Sequence, residues 1–263
     1  MELIRSDQNS LVKLSRKLLR SARERARSGK ILLDGFHLVE AYALRFGLES
    51  AQIMVSEAAQ HAPEFERLIS RWPCSRLALL SEPLFRSITP VETPTGIAAL
   101  VDIPLFDAKR AAGENWVMLD GIQDPGNLGS ILRTAAATGI SRALLSKTCS
   151  DVWSPKCLRG GMGAQFVLPC EQVDLLDAMS AFPGRCIATA PRTGQSLYEL
   201  ELTGQTALIF GGEGGGLGSE LLARAGVLAH IPLSGEMESL NVAAAVAVCC
   251  FERLRQSRHK PSG

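Results

Sequence analysis

Apolar residues along the chain alternate between two patterns. Short continuous runs, ILLD at 31–34, QIMVS at 52–56, LALL at 77–80 and IAALV at 97–101, read as strands, and the segments between them carry apolar positions at helical spacing. Beyond residue 115 the alternation continues for longer. WVML (116–119), RALL (142–145), FVLP (166–169), RCIATA (185–190), TALIF (206–210) and VLAHIPL (227–233) read as strands. Helices are expected over 127–139, near 172–182, near 218–225 and from about 239, with RGGMGA (159–164) as a glycine-rich turn. Strands that are apolar throughout and separated by helices predict a parallel sheet covered on both faces.

Between the two blocks, IPLFDAKRAAGEN (103–115) mixes Pro, Gly, charge and small residues as a linker does. The expected organisation is therefore a small α/β domain over 1–102, a linker over 103–115 and a larger α/β domain over 116–263. At the N-terminus, Leu11, Leu14, Leu18, Leu19, Ala22 and Ala26 recur at helical spacing, and the first 30 residues hold nine Lys or Arg against three acids. This predicts a basic amphipathic helix, whose charge serves either as a solvated face, as an RNA-backbone contact or as an organellar transit signal.

Composition narrows the class without naming a chemistry. The 46% apolar content suffices for a real core, and no apolar run approaches the roughly 20 residues of a membrane span. A cytoplasmic protein without a membrane anchor is expected. The seven cysteines form no CxxC pair and no metal-ligand spacing with the four histidines, so they read as reduced core residues and no metal is expected. His37 and Glu40 lie one helical turn apart with no third ligand nearby.

In an open parallel sheet, ligands gather beyond the C-terminal ends of the strands. Three such loops are unusual. In LDGIQDPGNLGSILRTAAATG (119–139), Asn127 is placed to cap a helix whose second turn carries Arg133, a guanidinium fork in an otherwise small and apolar stretch. In LIFGGEGGGLGSE (208–220), the glycines allow close backbone approach to a ligand. No phasing of them gives a dinucleotide fingerprint or a P-loop, and Glu213 would repel phosphate. In HIPLSGEMESLNVAAAVAVCCFE (230–252), Ser239 and Asn241 sit at the mouth of a helix of small residues. Each loop also has a plain reading, as a cap, a surface ion pair or a glycine hairpin.

Taken together, NLGSILRTA, GGEGGGL and IPLSGEMESLNV, in this order and at these separations, resemble the three motifs of the SpoU (TrmH) branch of the SPOUT methyltransferases. The resemblance covers about 116–255. The stretches LVKLSRKLLRSARERARSGKILLDGFHLVEAY and TPTGIAALV also look like the substrate-binding domain that precedes the catalytic domain in ribosomal-RNA members. The fold it implies is α/β: a small N-terminal RNA-binding domain, then a parallel-sheet catalytic domain with a C-terminal deep trefoil knot, assembled as a homodimer.

The activity it implies is S-adenosyl-L-methionine-dependent methylation of a ribose 2′-hydroxyl in RNA, ribosomal RNA first and transfer RNA second. A non-catalytic RNA-binding factor of the same fold is a further alternative. By the same resemblance, Gly211, Gly212, Ile231, Leu233, Leu240 and Asn241 hold the cofactor, and Asn127, Arg133, Glu213, Ser239 and Asn241 form the polar active site. Ala243 stands where members commonly carry a second Ser. Arg133 acts either as the base or as a clamp on the RNA phosphate, and guanidinium is a poor base because it keeps its proton to above about pH 12.

Overall fold

The computed structural model describes residues 3–106 and 115–258, so residues 107–114 of the expected linker lie outside the described residues. The chain forms two compact units, Met1–Leu105 with Trp153–Phe166, and Phe106–Val152 with Val167–Gly263.

The first unit runs β1 (Leu3–Ile4), α1 (Ser10–Arg20), α2 (Ala22–Ser28), β2 (Lys30–Asp34), α3 (Phe36–Phe46), β3 (Gln52–Ser56), α4 (Pro63–Arg71), β4 (Leu77–Leu80), α5 (Glu82–Ser87) and β5 (Ile97–Asp102). Its sheet has the order β1-β4-β3-β5-β2, parallel except that β5 runs against both neighbours. Period-two alternation splits the apolar strands between two cores. Ile31, Leu33, Ile53 and Val55 pack with Leu38, Val39, Phe65 and Leu68 from α3 and α4, whereas Leu32 and Met54 pack with Val12, Leu18 and Phe85 from α1 and α5.

The basic N-terminal segment is two helices rather than one. Ser21 breaks them, in extended backbone, and its hydroxyl caps α2 by accepting from Glu24 N. The buried face of α1 is Val12, Ser15 and Leu18, while Ala22 and Ala26 are exposed. Arg25, counted among the surface cations from sequence, is buried and donates to the Leu18 carbonyl. Six cations of the segment, Arg5, Lys13, Lys17, Arg20, Arg23 and Arg27, remain exposed.

The second unit comprises β6 (Asn115–Asp120), α6 (Pro125–Ala137) and β7 (Arg142–Leu145). After α7 (Pro155–Gly161), which belongs to the first unit, come β8 (Cys170–Gln172), α8 (Leu175–Ala181), β9 (Arg185–Thr189), β10 (Gln195–Ser196), β11 (Thr206–Gly211), α9 (Ser219–Arg224), β12 (Val227–His230) and α10 (Val242–Arg258). All seven strands are parallel, in the order β10-β12-β9-β11-β6-β7-β8. The wholly apolar strands are explained by burial on both faces: Met118 and Ile209 face the α8–α9 core, while Val117, Leu119, Leu208 and Phe210 are also fully buried.

Three local expectations fail. RGGMGA is not a turn throughout, because Arg159–Gly161 complete α7 and only Met162, left-handed at φ 51°, ends it. FVLP forms no ladder, since Phe166 closes a short 3-10 turn and the edge strand β8 starts at Cys170, although Phe166 and Leu168 are buried as packing. Apolar runs report burial, not backbone conformation. Finally, α6 begins at Pro125 with Asp124 as its cap, so Asn127 is inside the first turn and Arg133 is in the third.

Candidate active site

The site forms where β6 and β11, neighbours in the middle of the sheet, end side by side with Asp120 opposite Gly211. Beyond β11 the glycine run folds back as a small hairpin, Gly212 bridging Gly216, with Gly216 N donating to Gly212 O at 3.0 Å. A Cβ on Gly211 would strike the backbone of Gly216 and Leu217, and one on Gly212 would strike the Gly121 carbonyl. Glycine is needed at both points because backbone passes against backbone. The hairpin thereby presents Glu213 over the end of β6.

Glu213 is the hub of the polar cluster. Its Oε1 accepts from Asn127 Nδ2 at 2.7 Å and from Asn241 Nδ2 at 2.7 Å, and Asn241 Nδ2 also approaches Asn127 Oδ1 at 3.2 Å. Each asparagine is anchored locally as well. The backbone N–H of Asn127 is held by the Asp124 carboxylate at 2.8 Å, while Asn241 Oδ1 accepts from Ala243 N at 3.0 Å and Ala244 N at 3.4 Å. Asn241, not Ser239, thus caps α10, which starts at Val242 rather than near 239. Asn127, expected as a cap, instead spends its side chain on Glu213.

A cavity of about 480 Å³ opens beside this hub, lined in part by Asn127, Gly212 and Glu213, a volume within the usual range for ligand sites. Three further lining residues, Asp120, Gln123 and Thr148, were not singled out from sequence. Asp120 carried a readable signal, an acid closing an otherwise apolar strand, but Thr148 lies in an ordinary polar loop after β7.

The remaining expected residues stand apart from the cavity. Arg133 lies six residues beyond Asn127, which is about 240° around the helix and about 9 Å along it. It is exposed, with no hydrogen bond or ion pair to a described residue. Ser239 is exposed, Ile231 and Leu233 follow β12 half-buried, and Leu240 is 40% exposed. Among the described residues no group of three or more His, Cys, Asp or Glu is placed to hold a metal ion, and no helix is long and apolar enough to cross a membrane.

Residues 114–251 match the SpoU rRNA Methylase family. The chain belongs to that family. Residues 9–99 of this SpoU chain also match the MRM3-like substrate binding domain. The chain is 33% identical over 254 residues to the 23S rRNA (guanosine(2553)-2′-O)-methyltransferase RlmP of Bacillus subtilis (strain 168), covering 95% of this chain and 98% of that one. Among solved structures, it superposes on an RNA 2′-O ribose methyltransferase with a TM-score of 0.82 at 27% identity, covering 97% and 99%. An AdoMet-bound rRNA methyltransferase from Sinorhizobium meliloti superposes with a TM-score of 0.81 at 25% identity, covering 97% of each. The family, and the α/β fold with a parallel sheet and an N-terminal domain that the resemblance implied, are borne out.

Proposed function

We propose that this SpoU chain methylates a ribose 2′-hydroxyl in ribosomal RNA using S-adenosyl-L-methionine, as a cytoplasmic homodimer. The observation that carries the proposal is the Asn127–Glu213–Asn241 hub beside the cavity, in a chain aligned end to end with an rRNA 2′-O-methyltransferase. The donor set fits the cofactor. Asp120, Asp124 and Glu213 line the cavity with acid, which suits a sulfonium cation and disfavours the phosphates of a dinucleotide. When bound, S-adenosylmethionine supplies an electrophilic methyl group.

The chain's own contribution is positioning. Gly211, Gly212, Ile231, Leu233 and Leu240 hold the cofactor, the first two on backbone that no side chain could follow. Asn127 and Asn241, fixed by Glu213, orient the ribose and the methionine moiety, with Ser239 beside them; holding reactants in line can account for much of the barrier reduction. Arg133 clamps the RNA phosphate and stabilises the developing alkoxide. In this reading a second copy brings Arg133 to the site, and its position well around α6 from Asn127 supports the dimer. Exposed Leu240 and Phe251, 40% and 53%, give the C-terminal segment apolar surface for a second copy to cover. The C-terminal knot and the division into an RNA-binding domain over 1–102 and a methyltransferase domain over 116–263 are part of the same proposal.

The test is transfer of tritiated methyl from S-adenosylmethionine to ribosomal RNA from a strain lacking the gene. A 2′-O-methyl group blocks alkaline cleavage at the next phosphate, so label should persist in alkali-resistant dinucleotides. Label on a base, or none at all, would overturn the proposal.

A further inference from the structure

The elements that carry the hub are joined a second time, at their far ends. Asn127 opens α6, Glu213 follows β11 beside the end of β6, and Asn241 caps α10. At the opposite ends of these elements lies Arg253, which is 5% exposed. Its Nη2 donates to the carbonyl of Thr138, the residue that ends α6. With the Asn115 amide turned to satisfy both of its neighbours, Asn115 Oδ1 accepts from Arg253 Nη1 at 3.0 Å and Nδ2 donates to the Gly204 carbonyl at 3.2 Å. Asn115 is the first residue of β6, and Gly204 lies just before β11.

A buried guanidinium calls for a reason. No carboxylate pairs with Arg253 among the described residues, its Nε is buried without a hydrogen-bond partner, and burial lowers its pKa. An apolar side chain of similar volume would fill the same space without the cost of desolvating a charge. What offsets that cost is the end of α6: Thr138 O is one of the carbonyls a helix leaves unpaired at its C-terminus, where the helix dipole is negative. Packing alone does not explain Arg253, and a fixed junction of α10, α6 and β6 does.

The spans between junction and hub match. At 1.5 Å per residue, about 18 Å separates Asn241 from Arg253 along α10 and about 17 Å separates Asn127 from Thr138 along α6. At 3.3 Å per residue, β6 covers about 17 Å between Asn115 and Asp120. The two helices pack against each other and run in the same direction, hub at their N-termini and Arg253 toward their C-termini. A hydrogen-bonded helix is stiff along its axis, so a slip permitted at Arg253 reappears at Asn241. The 2.7 Å bond from Asn241 Nδ2 to Glu213 is lost beyond about 3.5 Å, so a slip of about 1 Å is enough.

We propose that Arg253 is a positioning residue for methyl transfer: it fixes the register of α10 against α6 and β6, and thereby where Asn241 is held against Glu213 and Asn127. It touches neither substrate nor cofactor. The inference rests on the methyltransferase reading of the hub and adds a residue at the other end of the sheet that sets the hub's geometry.

The experiment compares the full-length protein with Arg253→Met, Arg253→Lys and Gln256→Ala in methyl transfer to ribosomal RNA, below the unfolding temperature of every variant. Gln256 is the control. It also ties α10 down, accepting from Leu202 N at 2.7 Å and donating to Leu200 O at 3.0 Å, but to a loop that carries no residue of the hub. Arg253→Met is expected to lower kcat about tenfold and leave KM for RNA and for S-adenosylmethionine within about twofold, since a misplacement of about 1 Å can cost up to about a hundredfold. Arg253→Lys reaches one acceptor but not both, should recover about threefold of that loss, and carries the same test if the Met variant does not fold. Gln256→Ala should keep kcat within about twofold, as expected of a bond that does not reach the hub. In a Glu213→Ala background, where the hub is already open, Arg253→Met should cost less than about twofold more, whereas independent effects multiply. A readout without turnover is hydrogen exchange at Ala243 N and Ala244 N, both held by Asn241 Oδ1, which should quicken about tenfold relative to α8 in Arg253→Met.

An unchanged kcat in Arg253→Met, a loss confined to KM, an equal loss in Gln256→Ala, or full multiplication with Glu213→Ala would each overturn the inference. The two readings also fail separately. No transfer by the unaltered protein, with the exchange response at Ala243 and Ala244 intact, would remove the activity and leave the coupling of Arg253 to Asn241. Normal transfer by the unaltered protein, with neither kcat nor exchange altered in Arg253→Met, would remove the coupling alone.

Discussion

Glu213 joins side chains that are 86 and 28 residues away from it, and its replacement is the most direct probe of the site. A hydrogen bond to a charged acceptor is worth about 1.5–3 kcal/mol where water is excluded. Glu213 is exposed, so about 1 kcal/mol per bond is the appropriate scale. Glu213→Ala removes both bonds and frees both amides to rotate into water. If that positioning is realised in the transition state, the loss of about 2 kcal/mol lowers kcat/KM about thirtyfold. Glu213→Gln keeps a carbonyl oxygen where Oε1 sits and loses only the charge, which about halves each bond. Its expected fall is about fivefold. Initial rates of methyl transfer to ribosomal RNA over a range of RNA concentrations give both numbers. A Gln variant as slow as the Ala variant would show that the charge itself, not the acceptor geometry, is what Glu213 supplies. An Ala variant with unchanged kcat/KM would sink the hub altogether.

Two other expectations concern the N-terminal unit. Lys13, Lys17 and Arg20 lie exposed on one side of α1, and their combined change to Gln should flatten the dependence of log Kobs for ribosomal RNA on log salt by about 2, each phosphate contact contributing roughly 0.7–0.9; an unchanged slope would remove α1 from the RNA contact. Deleting residues 1–30 is a poorer test, because Val12 and Leu18 belong to the core. Asp34 has one carboxylate oxygen buried without a partner, and burial pushes its pKa from 3.8 to about 6 despite the opposing pull of Arg159. The native state therefore holds this proton more tightly than the unfolded chain, so stability from this group is full below about pH 4, falls through pH 4 to 6 and is lost above. Asp34→Asn should stabilise the protein by up to about 3 kcal/mol at pH 8 and by little at pH 4, as read from urea unfolding. An equal gain at both pH values would show that Asp34 titrates normally.

Most of the elements, and the loops that carry the site, were legible in the sequence for separable reasons. Strands buried on both faces must be apolar throughout, so β6, β7, β9 and β11 announced themselves as uninterrupted runs. The glycine hairpin was legible because Gly211 and Gly212 leave no room for a Cβ. What misled was burial without a ladder, as in FVLP, and charge without exposure, as in Arg25, whose guanidinium serves a helix end. The hydrophobic pattern reports only that a residue leaves water.

By itself, then, the sequence determined the alternation of strands and helices, the placement of polar residues in three loops and, through their order, the family. Only the tertiary structure decided which polar groups meet. Asn127 and Asn241 lie 114 residues apart, and either could have been nothing more than a helix cap. Local spacing sets which backbone groups a side chain can reach, and that information was present along the chain. Whether one carboxylate oxygen gathers two amides depends on adjacent strands ending at the same level, and so does the presence of Asp120 in the wall of the cavity while Arg133 faces elsewhere. That alignment is a property of sheet order and register, which no single segment encodes.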